Sequence, residues 1–180
     1  ANWTFTPTLG VPHNERWGRT YETFGDDVER VTSLGNAYIK GIEKDGSTLS
    51  TAKHYLGEGL TTNGTNQGNV ELSERDYNDL INANMDNKIV KEILTPYKKA
   101  IDQGVQSIMV SYNSINGKKC HGISCNCKIQ CKIWIGKDII HADHRCHGSN
   151  DAIHIAIRQQ RDEQHRQYEQ HGHMKIRIRY

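Results

Sequence analysis

Between residues 27 and 117 the chain alternates helical and strand-like stretches in an order that leaves few architectures open. Residues 27–42 (DVERVTSLGNAYIKGI) set Val28, Val31, Gly35, Tyr38, Ile39 and Ile42 at helical spacing, with Asp26 or Asp27 placed to cap the first turn. Leu49 to Leu56 is a short β-rich run closed by Gly57, which predicts a strand. Gly57 to Asn69 is mostly Gly, Asn and Thr and reads as a long polar loop. Ser73-Glu-Arg-Asp76 has the pattern of a capping box, and Pro96 suits the first position of another helix. Val105 to Tyr112 reads as a buried strand, with Asn113 to Gly117 as the turn leaving it. Strand, loop, helix, strand is the rhythm of a parallel sheet with helical crossovers, so an α/β fold is expected.

The remainder of the chain is different in kind. All five cysteines lie between Cys120 and Cys146, and most of the ten histidines follow Cys120. From Arg158 onward apolar residues almost vanish until the last few positions. Two segments are therefore expected, 1–122 and 123–180. The 180 residues suffice for one compact domain. A net charge of +2 gives no field that would favour nucleic acid or an anionic membrane, and no apolar run is long enough to cross a bilayer. The first residues lack the layout of a signal peptide, which reads as a soluble chain or one that begins mid-protein.

Four clusters carry chemistry. Arg16-Trp-Gly-Arg19-Thr-Tyr-Glu22 sets two guanidinium forks around an indole whose flat face suits a sugar ring. Lys53-His54 ends the first predicted strand; two adjacent side chains leaving a strand share a target only where the chain turns. Met109-Val-Ser-Tyr112 runs into Asn113 and Asn116. Cys125, Cys127 and Cys131, with His141, His144, Cys146 and His147, offer the ligand types of a structural zinc, although no paired C-x2-C unit is present. Taken singly, the first three read more readily as structural groups: an Arg–Glu pair beside a packed Trp, a structural or solvated Lys-His pair, and a strand end with an Asn-Gly turn.

In order and at these separations, the first three resemble glycoside hydrolase family three, the β-glucosidase and exo-glucanase family. The resemblance runs through Asn2-Trp-Thr-Phe-Thr-Pro7, RWGRTYETFGDD (16–27), AYIKGI (37–42), TAKHYLGEG (51–59), LSERD (72–76) and residues 96–122. It implies a (β/α)8 barrel of the TIM type, present here in part and incomplete at both ends, with strand C-termini around a pocket for one terminal glucose-like residue. Carried over by position, Arg19, Lys53, His54 and Tyr112 hold sugar hydroxyls and Met109 lines the pocket wall. Arg and Lys donate without accepting, which suits them to fixing ring orientation.

The family cleaves with retention, using a carboxylate nucleophile and a carboxylic acid about 5 Å apart. The nucleophile is an Asp some thirty residues past the strand-end Tyr, and Asp143 is the candidate by count. A second register, in which Lys137-Asp138-Ile139-Ile140 matches the family's continuation, puts the nucleophile near Ile135 and leaves no carboxylate there. The acid/base Glu belongs to a further domain outside this chain. The resemblance therefore implies a β-glucosidase-like hydrolase fragment, inactive alone, that takes a β-glucoside or β-glucan oligosaccharide and needs no cofactor or metal. The alternatives are a carbohydrate-binding remnant without turnover and a zinc-binding interaction module over 120–173. Neither nucleic acid nor membrane is an expected partner. Asn2-Trp-Thr4 and Asn63-Gly-Thr65 are N-glycosylation sequons, which with the family's habit suggests a secreted or vacuolar/lysosomal protein. A complete barrel needs about 250 residues; a partial one leaves strand edges open as aggregation hazards.

Overall fold

The computed structural model describes residues 2–121 and, as backbone, His154–Ala156. Asp27 caps helix α1 (Val28–Ile42) by accepting from the Arg30 N–H at 2.8 Å. The buried stripe of α1 is Val31, Thr32, Gly35, Asn36 and Ile39. Tyr38, expected on that face, lies at its rim, 43% exposed, with its ring 6.0 Å from that of Phe24. Gly35 lets the helix come down onto Leu9; a Cβ there would sit 2.3 Å from Leu9 Cδ2.

Strand β1 (Thr51–Tyr55) is parallel to β3 (Ser107–Val110), pairing Thr51 with Ser107 and Lys53 with Met109. Residues 2–9 run along the other side of β1, also parallel, through bridges at Trp3–Leu49 and Thr8–Lys53 and through Leu9 N–H donating to the Lys53 carbonyl at 2.6 Å. The backbone of His154–Ala156 pairs antiparallel on the far side of β3. The described residues thus form an open sheet of α/β class, in which α1 connects the 2–9 segment to β1 and helices α2 (Glu74–Ile81) and α3 (Lys88–Gln103) connect β1 to β3.

Ser73 caps α2 as expected, accepting from the Asp76 N–H at 3.1 Å and donating its hydroxyl to the Asp76 carboxylate at 2.7 Å. α3 differs from expectation: it starts at Lys88, capped by Asn87, and Pro96 lies inside it. Proline has no N–H to give the preceding turn. Pro96 is nonetheless buried among Ile93, Leu94, Tyr97, Ala100 and Ile101, and burial of such side chains at about 2 kcal/mol each outweighs one missing bond. The Tyr97 ring meets that of Tyr55 edge-on at 5.1 Å, joining α3 to β1.

A smaller sheet lies apart from these. β2 (Asn69–Val70) pairs parallel with β4 (Ser114–Ile115), which turns through Asn116 and Gly117 into β5 (Lys118–Lys119). Both turn residues have positive φ, 48° and 75°, the geometry of a two-residue hairpin that favours Asn-Gly. The Asn116 side chain also exchanges bonds with the backbone of Leu72, accepting at 2.8 Å and donating at 3.1 Å. The expected turn at 113–117 therefore contains a strand, and Asn116 has a structural task.

Candidate functional site

The site is built at the C-terminal end of β1, where residues from three stretches meet. The first stretch hangs from Trp17, which is 1% exposed. Its carbonyl accepts from both the N–H and the hydroxyl of Thr20, at 3.1 and 2.7 Å, opening a 3-10 turn at Thr20–Glu22. Trp17 therefore anchors the loop as a packed indole, the structural reading of this cluster, and presents no open face to a ring. The turn sets Arg19 and Glu22 three residues apart, and the guanidinium clasps the carboxylate with Nε to Oε1 and Nη2 to Oε2, both at 2.7 Å.

β1 brings the second pair. The Lys53–His54 peptide is cis, and both side chains reach the Arg19–Glu22 clasp. Lys53 Nζ lies 3.8 Å from Glu22 Oε2, and Arg19 Nη1 lies 3.1 Å from His54 Nε2. Thr8, from the 2–9 segment, donates its hydroxyl to Glu22 at 3.2 Å.

The third stretch follows β1 directly. Gly57, at φ 80°, turns the chain into a second 3-10 turn, Glu58–Leu60, and Glu58 is buried at 4% exposure. Its Oε1 accepts from the His54 N–H at 2.8 Å. Its Oε2 lies 2.8 Å from His54 Nδ1, within ion-pair distance but off the axis of a straight N–H···O bond.

The electrostatics follow from this packing. Hydrogen bonds from Arg19, then its charge and that of Lys53, hold the Glu22 carboxyl at about 2 against the opposing effect of burial. The same bond raises Arg19. Burial lowers Lys53, with Glu22 working against it. Glu22 is therefore a fixed anion at neutral pH and cannot serve there as a general acid. Arg19 and Lys53 are donors only, so together they suit hydroxyl groups or an anion.

Of the residues singled out from sequence, the structure brings Arg19, Lys53 and His54 together. Met109 is Lys53's neighbour in register on β3 and is half-buried. Tyr112, two residues beyond β3, sets its ring edge-on to His121 at 5.2 Å, while its carbonyl accepts from Lys119 at 3.1 Å. Asp143 lies outside the described residues, as does the Cys/His set from Cys125 onward. The Arg–Glu pair of the structural reading is present as Arg19–Glu22, whereas Glu58 and Thr8 are not marked by the sequence motifs. The signal for Glu22 was its i, i+3 spacing from an arginine; for Glu58 it was an acid between two glycines, at 57 and 59.

The model of the glycosyl hydrolase family 3 N-terminal domain matches residues 1–130. The periplasmic beta-glucosidase of Salmonella typhimurium is 24% identical over 163 residues, covering 88% of this chain and 19% of that protein. Among solved structures, a point mutant of the exo-1,3/1,4-beta-glucanase of a Pseudoalteromonas species is 36% identical with a TM-score of 0.56, over 67% of this chain and 19% of that one. The beta-glucosidase of Listeria innocua in complex with glucose, 24% identical over 73% of this chain and 18% of its own, shares the fold with a TM-score of 0.60. The chain thus spans about a fifth of the relatives it matches. With 130 of its residues matched by that one model, the chain belongs to glycosyl hydrolase family 3, through the family's N-terminal domain.

Proposed function

We propose that this chain forms part of the glucose subsite of a β-glucosidase-like hydrolase acting with retention on terminal β-D-glucosyl residues, and that the segment is inactive alone. The observation that carries this is the convergence of Arg19, Lys53 and His54, from a turn and a strand end, around the anion Glu22. Glu22 neutralises part of the cationic charge, so the surplus donors suit neutral vicinal hydroxyls better than a phosphate, which would meet a carboxylate. Met109 lines the wall and Tyr112 completes the subsite in this reading, and Asp143 supplies the nucleophile when the rest of the enzyme is present. The sheet is read as one part of a (β/α)8 barrel, residues 1–122 as the barrel portion and 123–180 as a separate segment. The substrate is a β-glucoside or β-glucan oligosaccharide. A secreted or vacuolar/lysosomal location agrees with the exposed asparagines of both sequons, Asn2 and Asn63.

Calorimetric titration of the chain with glucose and with gluconolactone tests this. Weak binding that falls about tenfold or more in Lys53→Ala is expected, the equivalent of one charge-assisted hydrogen bond. Binding unaffected by Lys53→Ala, or none at all, overturns the subsite. Release of aryl alcohol from an aryl β-glucoside by the chain alone, lost in Asp143→Asn, would overturn the expected inactivity and support Asp143 as nucleophile.

A further inference from the structure

Each nitrogen of the His54 imidazole faces one partner, Nε2 in a hydrogen bond and Nδ1 at ion-pair distance, off the axis of a straight bond. Nε2 lies 3.1 Å from Arg19 Nη1, and Nδ1 lies 2.8 Å from Glu58 Oε2. A guanidinium can only donate, so Nε2 must offer its lone pair; the ring proton then belongs on Nδ1, facing a carboxylate that can only accept when ionised. His54 and Glu58 are nearly enclosed, at 12% and 5% side-chain exposure, so water offers little alternative to these partners. Glu58 also accepts from the backbone N–H of His54 through its other oxygen, which fixes the root of the ring.

The consequence reaches Arg19. Of its five N–H groups, Nε and one on Nη2 go to Glu22 and one on Nη1 goes to His54, leaving two for a ligand. We propose that Glu58 is a positioning residue of the sugar subsite: it keeps His54 in the Nδ1–H form, so that Nε2 accepts from Arg19 and turns the remaining guanidinium donors toward the sugar. This deepens the subsite reading above and rests on it for the identity of the ligand. The carboxylate of Glu58 touches no substrate in this scheme; it acts through His54.

Glu58→Gln is the discriminating change. Its amide oxygen can keep the bond from the His54 N–H, but its NH2 then faces Nδ1 and can only donate. The ring proton is driven to Nε2, where two donors oppose each other across 3.1 Å. Ring nitrogen shifts of the 15N-histidine-labelled chain report the tautomer directly. The expected result is an Nδ1–H signal for His54 in the wild-type chain, an Nε2–H signal in Glu58→Gln, and about tenfold weaker glucose binding in that variant, with partial recovery in Glu58→Asp. An Nε2–H signal in the wild-type chain overturns the proposal without recourse to any variant. So does a Glu58→Gln chain with native amide dispersion whose His54 keeps its proton on Nδ1. Absence of glucose binding by the wild-type chain overturns the subsite reading alone, and the tautomer signals still decide the role of Glu58.

Discussion

Two short turns deliver a carboxylate to the end of β1, and they do it by opposite means. The turn at Thr20–Glu22 is open to solvent at Tyr21, which is 83% exposed, and its acid is held by the charge of Arg19 and Lys53. The turn at Glu58–Leu60 is closed over by neighbouring chain. A Cβ on Gly59 would sit 2.1 Å from the Val11 carbonyl oxygen, and one on Gly10 would sit 2.9 Å from Glu58 Cγ. Glu58 is placed by the space left for it, and Glu22 by the charges around it. The same kind of turn can thus fix an acid either by charge or by space.

That contrast can be broken at three points. Gly59→Ala is expected to destabilise the chain by about 3 kcal/mol in urea denaturation, because the opposing atoms are backbone and cannot swing aside. A loss under about 1 kcal/mol would mean that the second turn is not held by space. Acid titration probes the first turn. The Glu22 carboxyl, normally near 4.5, sits at about 2 in the folded chain, so its ionised form contributes stability in full above about pH 4.5 and loses it as pH falls toward 2. Urea midpoints of the wild-type chain should therefore fall more steeply over that interval than those of Glu22→Gln; parallel curves would sink the charge-held account. Gly18→Ala, just ahead of Arg19, should lie within about 0.5 kcal/mol of the wild type, since nothing lies within 4 Å of a Cβ there.

Local chemistry was legible in the sequence wherever a few adjacent residues determined the outcome. The Asp27 and Ser73 caps, the two principal strands and the Asn116–Gly117 corner all follow from such short patterns. The start of α3 did not, because Pro96 is a stronger local mark than Asn87 while the buried face that overrides it is a tertiary fact. Trp17 could be a packed indole or an open face by sequence, and only the folded chain, where it is 1% exposed, decides for the packed one. The residues from 57 to 69, expected as a plain loop, hold the turns Glu58–Leu60 and Thr62–Gly64. Glu58 could not be told from a solvated acid, since its burial depends on clearances at Gly10 and Gly59 set by distant chain.

Parallel pairing has a kinetic consequence as well. Trp3 bonds to Thr51 across 48 positions and Arg19 meets His54 across 35, so no part of the site is closed by a hairpin. Each such contact must wait for a crossover helix to return the chain, and loop closure is an entropic cost met before any contact is made. The Arg19–Glu22 pair, three residues apart, can close before any helix has seated, whereas Lys53 and His54 reach it only once α1 has returned the chain, so the cluster is completed in two stages of very different loop cost.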